Sequence, residues 1–86
     1  MEENQISSII LKAAFKVHNS LGPGLLESAY QATLNHEIVK SGLKVELEKP
    51  LPLIYEDIHL KVGYRIDLLV GGKVIVEVKS VDSINE

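Results

Sequence analysis

Two segments of alternating apolar residues, 64–70 and 73–79, flank a glycine pair and constrain how this chain folds back on itself. A two-residue turn at Gly71-Gly72 would set charged side chains against apolar ones. A three-residue loop over residues 71–73 instead sets apolar against apolar. A slip of one residue moves every side chain to the other face of a sheet, so the pattern favours the three-residue loop. The predicted pairs are Ile66 with Val78, Leu68 with Val76, and Val70 with Val74.

The same register places charged residues opposite each other on the second face of this hairpin. Asp67 is predicted to lie across from Glu77, and Arg65 across from Lys79. Directly opposed residues have Cβ atoms about 4.5–5.5 Å apart, and like charges at that distance destabilise a sheet. The acidic pair therefore suggests a divalent cation shared by the two carboxylates.

Oxygen ligands suit Mg²⁺ or Mn²⁺, which can activate a water and neutralise charge that develops on a phosphate. Lys79 projects from the same face as Glu77 and is a candidate either to stabilise the transition state or to orient the nucleophilic water. Arg65 is a candidate for phosphate contact, or for pairing with Asp67 or Glu48. The alternative to a metal site is a solvated sheet face that carries Arg65–Asp67 and Glu77–Lys79 charge pairs. Spacing alone leaves both interpretations open.

Two helices precede the strands. Residues 4–21 carry apolar side chains at three- and four-residue steps, which is typical of an amphipathic helix. Gly22-Pro23-Gly24 ends this helix, because glycine suits the position after a helix and proline cannot continue it. A second helix is predicted over about residues 25–41, with Gly42 as its stop.

From Leu43 onward the apolar period changes to two. Seven consecutive even positions from Ile58 to Val70 are apolar, which predicts one long strand. Pro50 and Pro52 cannot donate to a ladder, so the preceding strand should lie at a sheet edge. A two-residue turn at residues 56–57 predicts the pairs Leu53–Leu60, Leu51–Val62 and Leu47–Ile66. The order α-α-β-β-β predicts an α/β (α+β) fold with two helices packed on the apolar face of a three-stranded antiparallel meander.

Composition limits the kinds of protein that this chain can be. The 86 residues suit one small domain, 1–86, whose modest core favours self-association. The absence of cysteine excludes disulfides and thiolate metal sites, and the net charge of −3 gives no general support for polyanion binding. No apolar run approaches the length of a membrane span, and no signal peptide is evident, so we expect a cytoplasmic protein without a membrane partner.

Several motifs resemble one family. Residues 24–30, Gly-Leu-Leu-Glu-Ser-Ala-Tyr, match the Gly-x-x-Glu-x-x-Tyr signature of the GxxExxY protein family. The resemblance extends to residues 17–24, 50–55, 63–70 and 76–80, and so covers nearly the whole chain.

That family is placed in the PD-(D/E)XK nuclease-like superfamily, whose members typically cut DNA phosphodiesters with Mg²⁺. The resemblance implies that Asp67 is the motif aspartate, Glu77 the following acid and Lys79 the motif lysine. It implies that Glu27 is the helical acid that completes the metal site in many relatives. Ile66 stands where the superfamily name has proline, a common variation.

The superfamily core runs α-β-β-β-α-β, so the resemblance implies a partial restriction-endonuclease-like core that lacks the last helix and strand. We expect a Mg²⁺- or Mn²⁺-dependent nuclease domain. The alternative is a catalytically inactive interaction or nucleic-acid-binding module that retains the fold. An exposed strand edge favours pairing with a second copy or a partner chain.

Four further residues have competing interpretations. Glu27 lies in the first turn of the second helix, where the helix dipole stabilises a carboxylate, or it joins the metal site. For Tyr30, core packing with a hydrogen-bonded hydroxyl is favoured over a catalytic part. His18 is expected near C-terminal carbonyls of the first helix rather than at a metal, and Gly63 is expected at a bulge.

Overall fold

Two helices lead into a three-stranded sheet in the computed structural model, which describes residues 1–79 apart from the side chain of Val62. The elements are α1 (Glu3–Leu21), α2 (Glu27–Lys40), β1 (Val45–Tyr55), β2 (Ile58–Val70) and β3 (Val74–Val76). The sheet is antiparallel, in the order β1-β2-β3. The predicted α+β class and the element order are confirmed, and β1 lies at an edge as its prolines require.

A tight corner separates the helices. α1 ends where the N–H of Gly22, at φ +72°, donates to the His18 carbonyl at 2.9 Å. α2 begins two residues later than expected, because Leu26 is still extended at φ −64° and ψ 149°. Neither of the helices described is long and apolar enough to cross a membrane.

The β2–β3 hairpin has the predicted three-residue loop over residues 71–73. Leu68 pairs with Val76 and Val70 with Val74, as the apolar pattern requires. The ladder stops there, so the pairs predicted beyond it are wrong: Ile66 with Val78, Asp67 with Glu77, and Arg65 with Lys79 are not ladder partners. The chain leaves the sheet after Val76, and this departure shapes the candidate site.

The β1–β2 hairpin has the predicted turn at residues 56–57, and Leu53 pairs with Leu60. Beyond a register shift, Leu51 pairs with Tyr64 instead of Val62, and Leu47 pairs with Leu68 instead of Ile66. Between the Leu53–Leu60 and Leu51–Tyr64 pairs, β2 therefore advances four residues while β1 advances only two.

The shift has a steric cause at Gly63, where a bulge was predicted. A Cβ there would lie 2.4 Å from the Leu53 Cβ and 3.1 Å from the Leu53 backbone nitrogen. Only glycine allows the two strands to approach so closely. Pro52, between Leu51 and Leu53, has no N–H to lose when the ladder is interrupted.

The core lies between the helices and one half of the sheet. Its buried residues come from α1, α2, β2 and the segment after β3: Ile6, Ile10, Ala13, Val17, Leu34, Ile38, Leu68, Val70 and Val78. The helices therefore cover the sheet only where β2 runs beside β3.

The helices lie on the meander as predicted, and the distal part of the β1–β2 hairpin extends beyond them. Ile54, Tyr55 and Ile58 are 63%, 61% and 55% exposed. A strand of 13 residues extends about 43 Å at 3.3 Å per residue. A helix of 14 residues extends only about 21 Å. α2 is too short to cover β2.

Candidate active site

Asp67 is held by the segment that leaves the sheet. Its Oδ2 accepts a hydrogen bond from the Val78 backbone N–H at 2.8 Å. Because the ladder ends at Val76, this N–H has no ladder carbonyl to bond, and the carboxylate replaces one. A hydrogen bond to an ionised acceptor is stronger than a neutral one. Asp67 is thereby tied to the peptide between Glu77 and Lys79.

Glu77 is exposed and is bound by a tyrosine. Its Oε1 accepts a hydrogen bond from the Tyr64 hydroxyl. This bond raises the pKa of Tyr64 above its ordinary value, with smaller contributions from burial and from the charges of Glu77 and Asp67. Because Asp67 binds the N–H of Val78, the residue directly after Glu77, Asp67 and Glu77 are neighbours although they are not ladder partners.

Tyr64 is the residue of this cluster that the sequence analysis missed. The apolar alternation places Tyr64 among seven apolar positions of β2, yet Tyr64 is 49% exposed. The signal present in the sequence was its hydroxyl, because tyrosine is the only polar side chain among those seven positions. The phenol needs a partner, and the structure supplies the carboxylate of Glu77.

Lys79 and Arg65 are both exposed. Ion pairs in the described part of the chain join Lys16 to Glu37 and Lys49 to Glu46. Within residues 1–79, neither the Arg65–Asp67 nor the Glu77–Lys79 pair is formed. The interpretation of this region as a face of paired charges is therefore wrong for these two pairs.

The register shift also changes which residue of β1 faces Asp67. Glu48 lies between two ladder pairs, Leu47–Leu68 and Lys49–Ile66, and so occupies the position across from Asp67. Its φ of +48° is a left-handed backbone conformation within β1. Arg65 pairs with Pro50 instead of lying opposite Glu48.

Glu27 is the first residue of α2 and is exposed. This position agrees with stabilisation by the helix dipole. Among the described residues, no group of three or more His, Asp or Glu side chains is arranged to hold a metal ion. The structure thus brings Asp67 and Glu77 together without assembling a three-carboxylate cluster with Glu27.

A cavity of about 380 Å³ opens beside Glu77. It lies between α1, the corner before α2, α2 and the segment after β3, and its lining consists of Ala14, Val17, His18, Pro23, Gly24, Tyr30, Leu34, Glu77, Val78 and Lys79. Gly24 and Tyr30 of the Gly-x-x-Glu-x-x-Tyr signature belong to this lining, whereas Glu27 does not.

The Tyr30 hydroxyl has the structural role expected for it, and His18 lies in the last turn of α1 as predicted. The Tyr30 hydroxyl donates to the Gly22 carbonyl at 2.6 Å and accepts from the Leu25 N–H at 3.1 Å, which closes the corner. The His18 carbonyl ends α1, while its exposed side chain stands at the cavity.

The donor set fits a hard divalent cation. Asp67 uses Oδ2 for Val78 and Glu77 uses Oε1 for Tyr64, so one oxygen of each carboxylate lies outside these hydrogen bonds. Mg²⁺ is commonly held by one or two carboxylates together with waters and phosphate oxygens. Asp67 and Glu77 would supply two such carboxylates, and Glu77 also lines the cavity.

The described residues form an α+β fold in which Asp67 on β2 is hydrogen-bonded to the segment that carries Glu77 and Lys79. A family model described as the PD-(D/E)XK nuclease superfamily matches residues 4–86, and the chain belongs to that superfamily. No match is found among curated proteins or among solved structures. Proteins of this superfamily generally use divalent metals, and the α+β fold of the described residues is consistent with theirs.

Proposed function

We propose that this chain is a nuclease domain of the GxxExxY type, which uses Mg²⁺ or Mn²⁺ to hydrolyse phosphodiester bonds of nucleic acid, DNA in particular. The observation that carries the proposal is the hydrogen bond from the Val78 N–H to Asp67. It joins the motif aspartate to the Glu77–Lys79 segment, so the three side chains act at one place. Membership of the superfamily supports the same chemistry.

Each residue has a distinct part in this proposal. Asp67 and Glu77 bind the metal, and Tyr64 holds the Glu77 carboxylate through Oε1. The metal, when bound, supplies a Lewis acid for the phosphate and lowers the pKa of a water. Lys79 places a cation beside the charge that develops in the transition state. Exposed Arg65 contributes a phosphate contact on the nucleic acid.

Glu27 is proposed as a further carboxylate for the metal. It would act from the N-terminus of α2, and it stands outside the lining of the cavity that Glu77 and Lys79 share. Its contribution is therefore expected to be smaller than that of Asp67 or Glu77.

Calorimetric titration of Mn²⁺ into the wild type and single variants tests the metal site. We expect Asp67→Asn and Glu77→Gln each to lose measurable binding, and Glu27→Gln to weaken it. Glu3→Gln, an exposed glutamate in the first turn of α1, is the matched control and should bind as the wild type does. Equal affinity in the wild type and Glu77→Gln would refute the proposed site.

Cleavage assays then separate the role of the metal site from the role of Lys79. Labelled single-stranded and duplex DNA and RNA are incubated with the wild type and Lys79→Ala in Mg²⁺. Lys79→Ala should keep its Mn²⁺ affinity and lose cleavage, because the lysine acts on the transition state. Cleavage by Lys79→Ala at the wild-type rate would exclude that role.

The exposed distal hairpin favours a second candidate, a catalytically inactive interaction or nucleic-acid-binding module. Large apolar side chains stand in solvent on this hairpin, and such patches mark association surfaces: Leu53, Ile54, Tyr55, Ile58 and Leu60. This candidate predicts a homo-oligomer, and sedimentation at micromolar concentration tests it. A monomer at all concentrations, together with metal-dependent cleavage, would favour the nuclease.

A further inference from the structure

The cavity beside Glu77 has apolar walls and a polar mouth. Ala14, Val17, Leu34 and Val78 supply aliphatic surface from both helices and from the segment after β3. His18, Glu77 and Lys79 supply its polar groups, and all three are exposed. This division suits a ligand with one flat apolar part and one charged part.

Tyr30 can offer only its ring to a ligand. Its hydroxyl already donates to the Gly22 carbonyl and accepts from the Leu25 N–H. These two bonds hold the hydroxyl at the corner between the helices, so the ring is a fixed part of the cavity lining. Aromatic rings fixed in this way are the surfaces on which nucleic-acid bases stack.

We propose that this cavity takes one unpaired nucleobase of the substrate, stacked on Tyr30, next to the phosphodiester that the Asp67–Glu77 site cleaves. The inference rests on the proposed nuclease function and names its substrate class. Lys79 and His18 stand at the mouth, where the phosphates adjoining that base would lie.

Size and the apolar lining favour an unpaired base over a base pair or a free phosphate. A cavity of about 380 Å³ lies near the lower end of the range for small-molecule sites, about 300–1,000 Å³. A stacked duplex cannot present a base there unless the base leaves the helix. Inorganic phosphate has no apolar surface for the aliphatic walls. Preferred substrates are therefore single strands, frayed ends or flaps.

The test measures oligonucleotide binding in Ca²⁺ by fluorescence anisotropy. The probes are a short labelled single strand, the same strand with a series of abasic positions, and a blunt duplex of the same sequence. We expect the duplex, and the strand with one particular abasic position, each to bind about tenfold more weakly than the intact strand, in line with stacking on one aromatic side chain. Equal binding of intact and abasic strands would overturn the inference without any variant protein.

A cavity-filling variant supplies a second test of the base pocket. Ala14→Leu adds bulk to the α1 wall, and Ala32→Leu makes the same change at an exposed position of α2 outside the cavity lining. Ala14→Leu should lose about tenfold in single-strand affinity while Ala32→Leu loses none. Far-UV circular dichroism and Mn²⁺ affinity should be unchanged in both. Wild-type oligonucleotide affinity in a folded Ala14→Leu variant would overturn the inference.

Two further outcomes separate this inference from the proposed function. Wild-type Mn²⁺ binding and cleavage, with no discrimination between single strand and duplex, would refute the base pocket alone. Base-dependent binding without Mn²⁺ affinity would support the pocket and refute the nuclease. Titration of dAMP distinguishes the source of the base. Binding of dAMP that is weakened by Ala14→Leu indicates a mononucleotide ligand. Binding of oligonucleotides but not of dAMP indicates a base within a strand.

Discussion

The Oδ2 atom of Asp67 on β2 accepts a hydrogen bond from the backbone N–H of Val78, 2.8 Å away and two residues beyond the end of β3. The bond holds the chain beside β2 after the ladder has ended, with Glu77 on one side of the bonded residue and Lys79 on the other. Asp67 therefore has a structural role in addition to the proposed role in metal binding. Variants of Asp67 can separate these two roles.

Asp67→Ala is expected to destabilise the fold. It leaves the Val78 N–H, in a partly buried site, without its acceptor, which costs about 1–3 kcal/mol. Asp67→Asn keeps an oxygen acceptor and should lose less. Urea denaturation of the wild type and both variants measures the difference. If Asp67→Ala leaves the free energy of unfolding unchanged, the hydrogen bond has no net effect on stability.

Tyr64→Phe is expected to weaken Mn²⁺ binding with the fold intact. The substitution removes the hydroxyl that holds Glu77 Oε1 and leaves the ring in place. Loss of a group that orients a metal ligand typically reduces affinity about 10- to 100-fold. Tyr55→Phe, an exposed tyrosine of the same hairpin, is the control. Calorimetry that finds equal affinity in the two variants would show that Tyr64 does not position Glu77.

The Tyr64–Glu77 bond also predicts a pH dependence. The bond raises the pKa of Tyr64 in the folded chain, above the value of about 10 in the unfolded chain. Its contribution to stability is thus fully present below pH 10 or so and is lost as the pH rises through the folded pKa. Ultraviolet difference titration of wild type against Tyr64→Phe should show a phenol titrating above its ordinary pKa. In Glu77→Gln that pKa should fall; an unchanged value would remove Glu77 as the cause.

Gly63→Ala is expected to disturb the distal hairpin. The new Cβ would lie 2.4 Å from the Leu53 Cβ and 3.2 Å from the Leu53 Cα, so backbone must move. Forced overpacking typically costs about 1–3 kcal/mol. His59→Ala, at an exposed position of the same strand, should change stability far less. Urea denaturation gives the magnitude, and amide exchange should locate faster opening in residues 51–64 rather than in the helices.

Local patterns predicted much of the fold. The helical repeat and the Gly-Pro-Gly corner located α1 to within one residue of Glu3–Leu21. The apolar alternation selected the loop over residues 71–73 and the Leu68–Val76 pair. These predictions succeed because amphipathic periodicity and turn chemistry depend on neighbours in the chain.

The same patterns failed where two segments compete for space. Nothing near Leu51 in the sequence indicates that its partner is Tyr64, because the shift results from the close approach of Gly63 and Leu53. The alternation from Ile58 to Tyr64 predicts a covered face, but coverage depends on the lengths of the helices. The Glu77 hydrogen bond to Tyr64 joins β2 to the segment after β3, and no local pattern in the sequence indicates it.

The sequence by itself determined the order of the elements, the faces they bury, and the presence of an aspartate, a Glu-x-Lys segment and a signature tyrosine. Only the tertiary structure decided how these meet. Asp67 bonds the backbone of Val78 rather than facing Glu77, Tyr64 binds Glu77, and Tyr30 lines a cavity beside both Glu77 and Lys79. The reason is physical: periodicity sets which face a side chain occupies, whereas the end of a ladder depends on packing between distant segments.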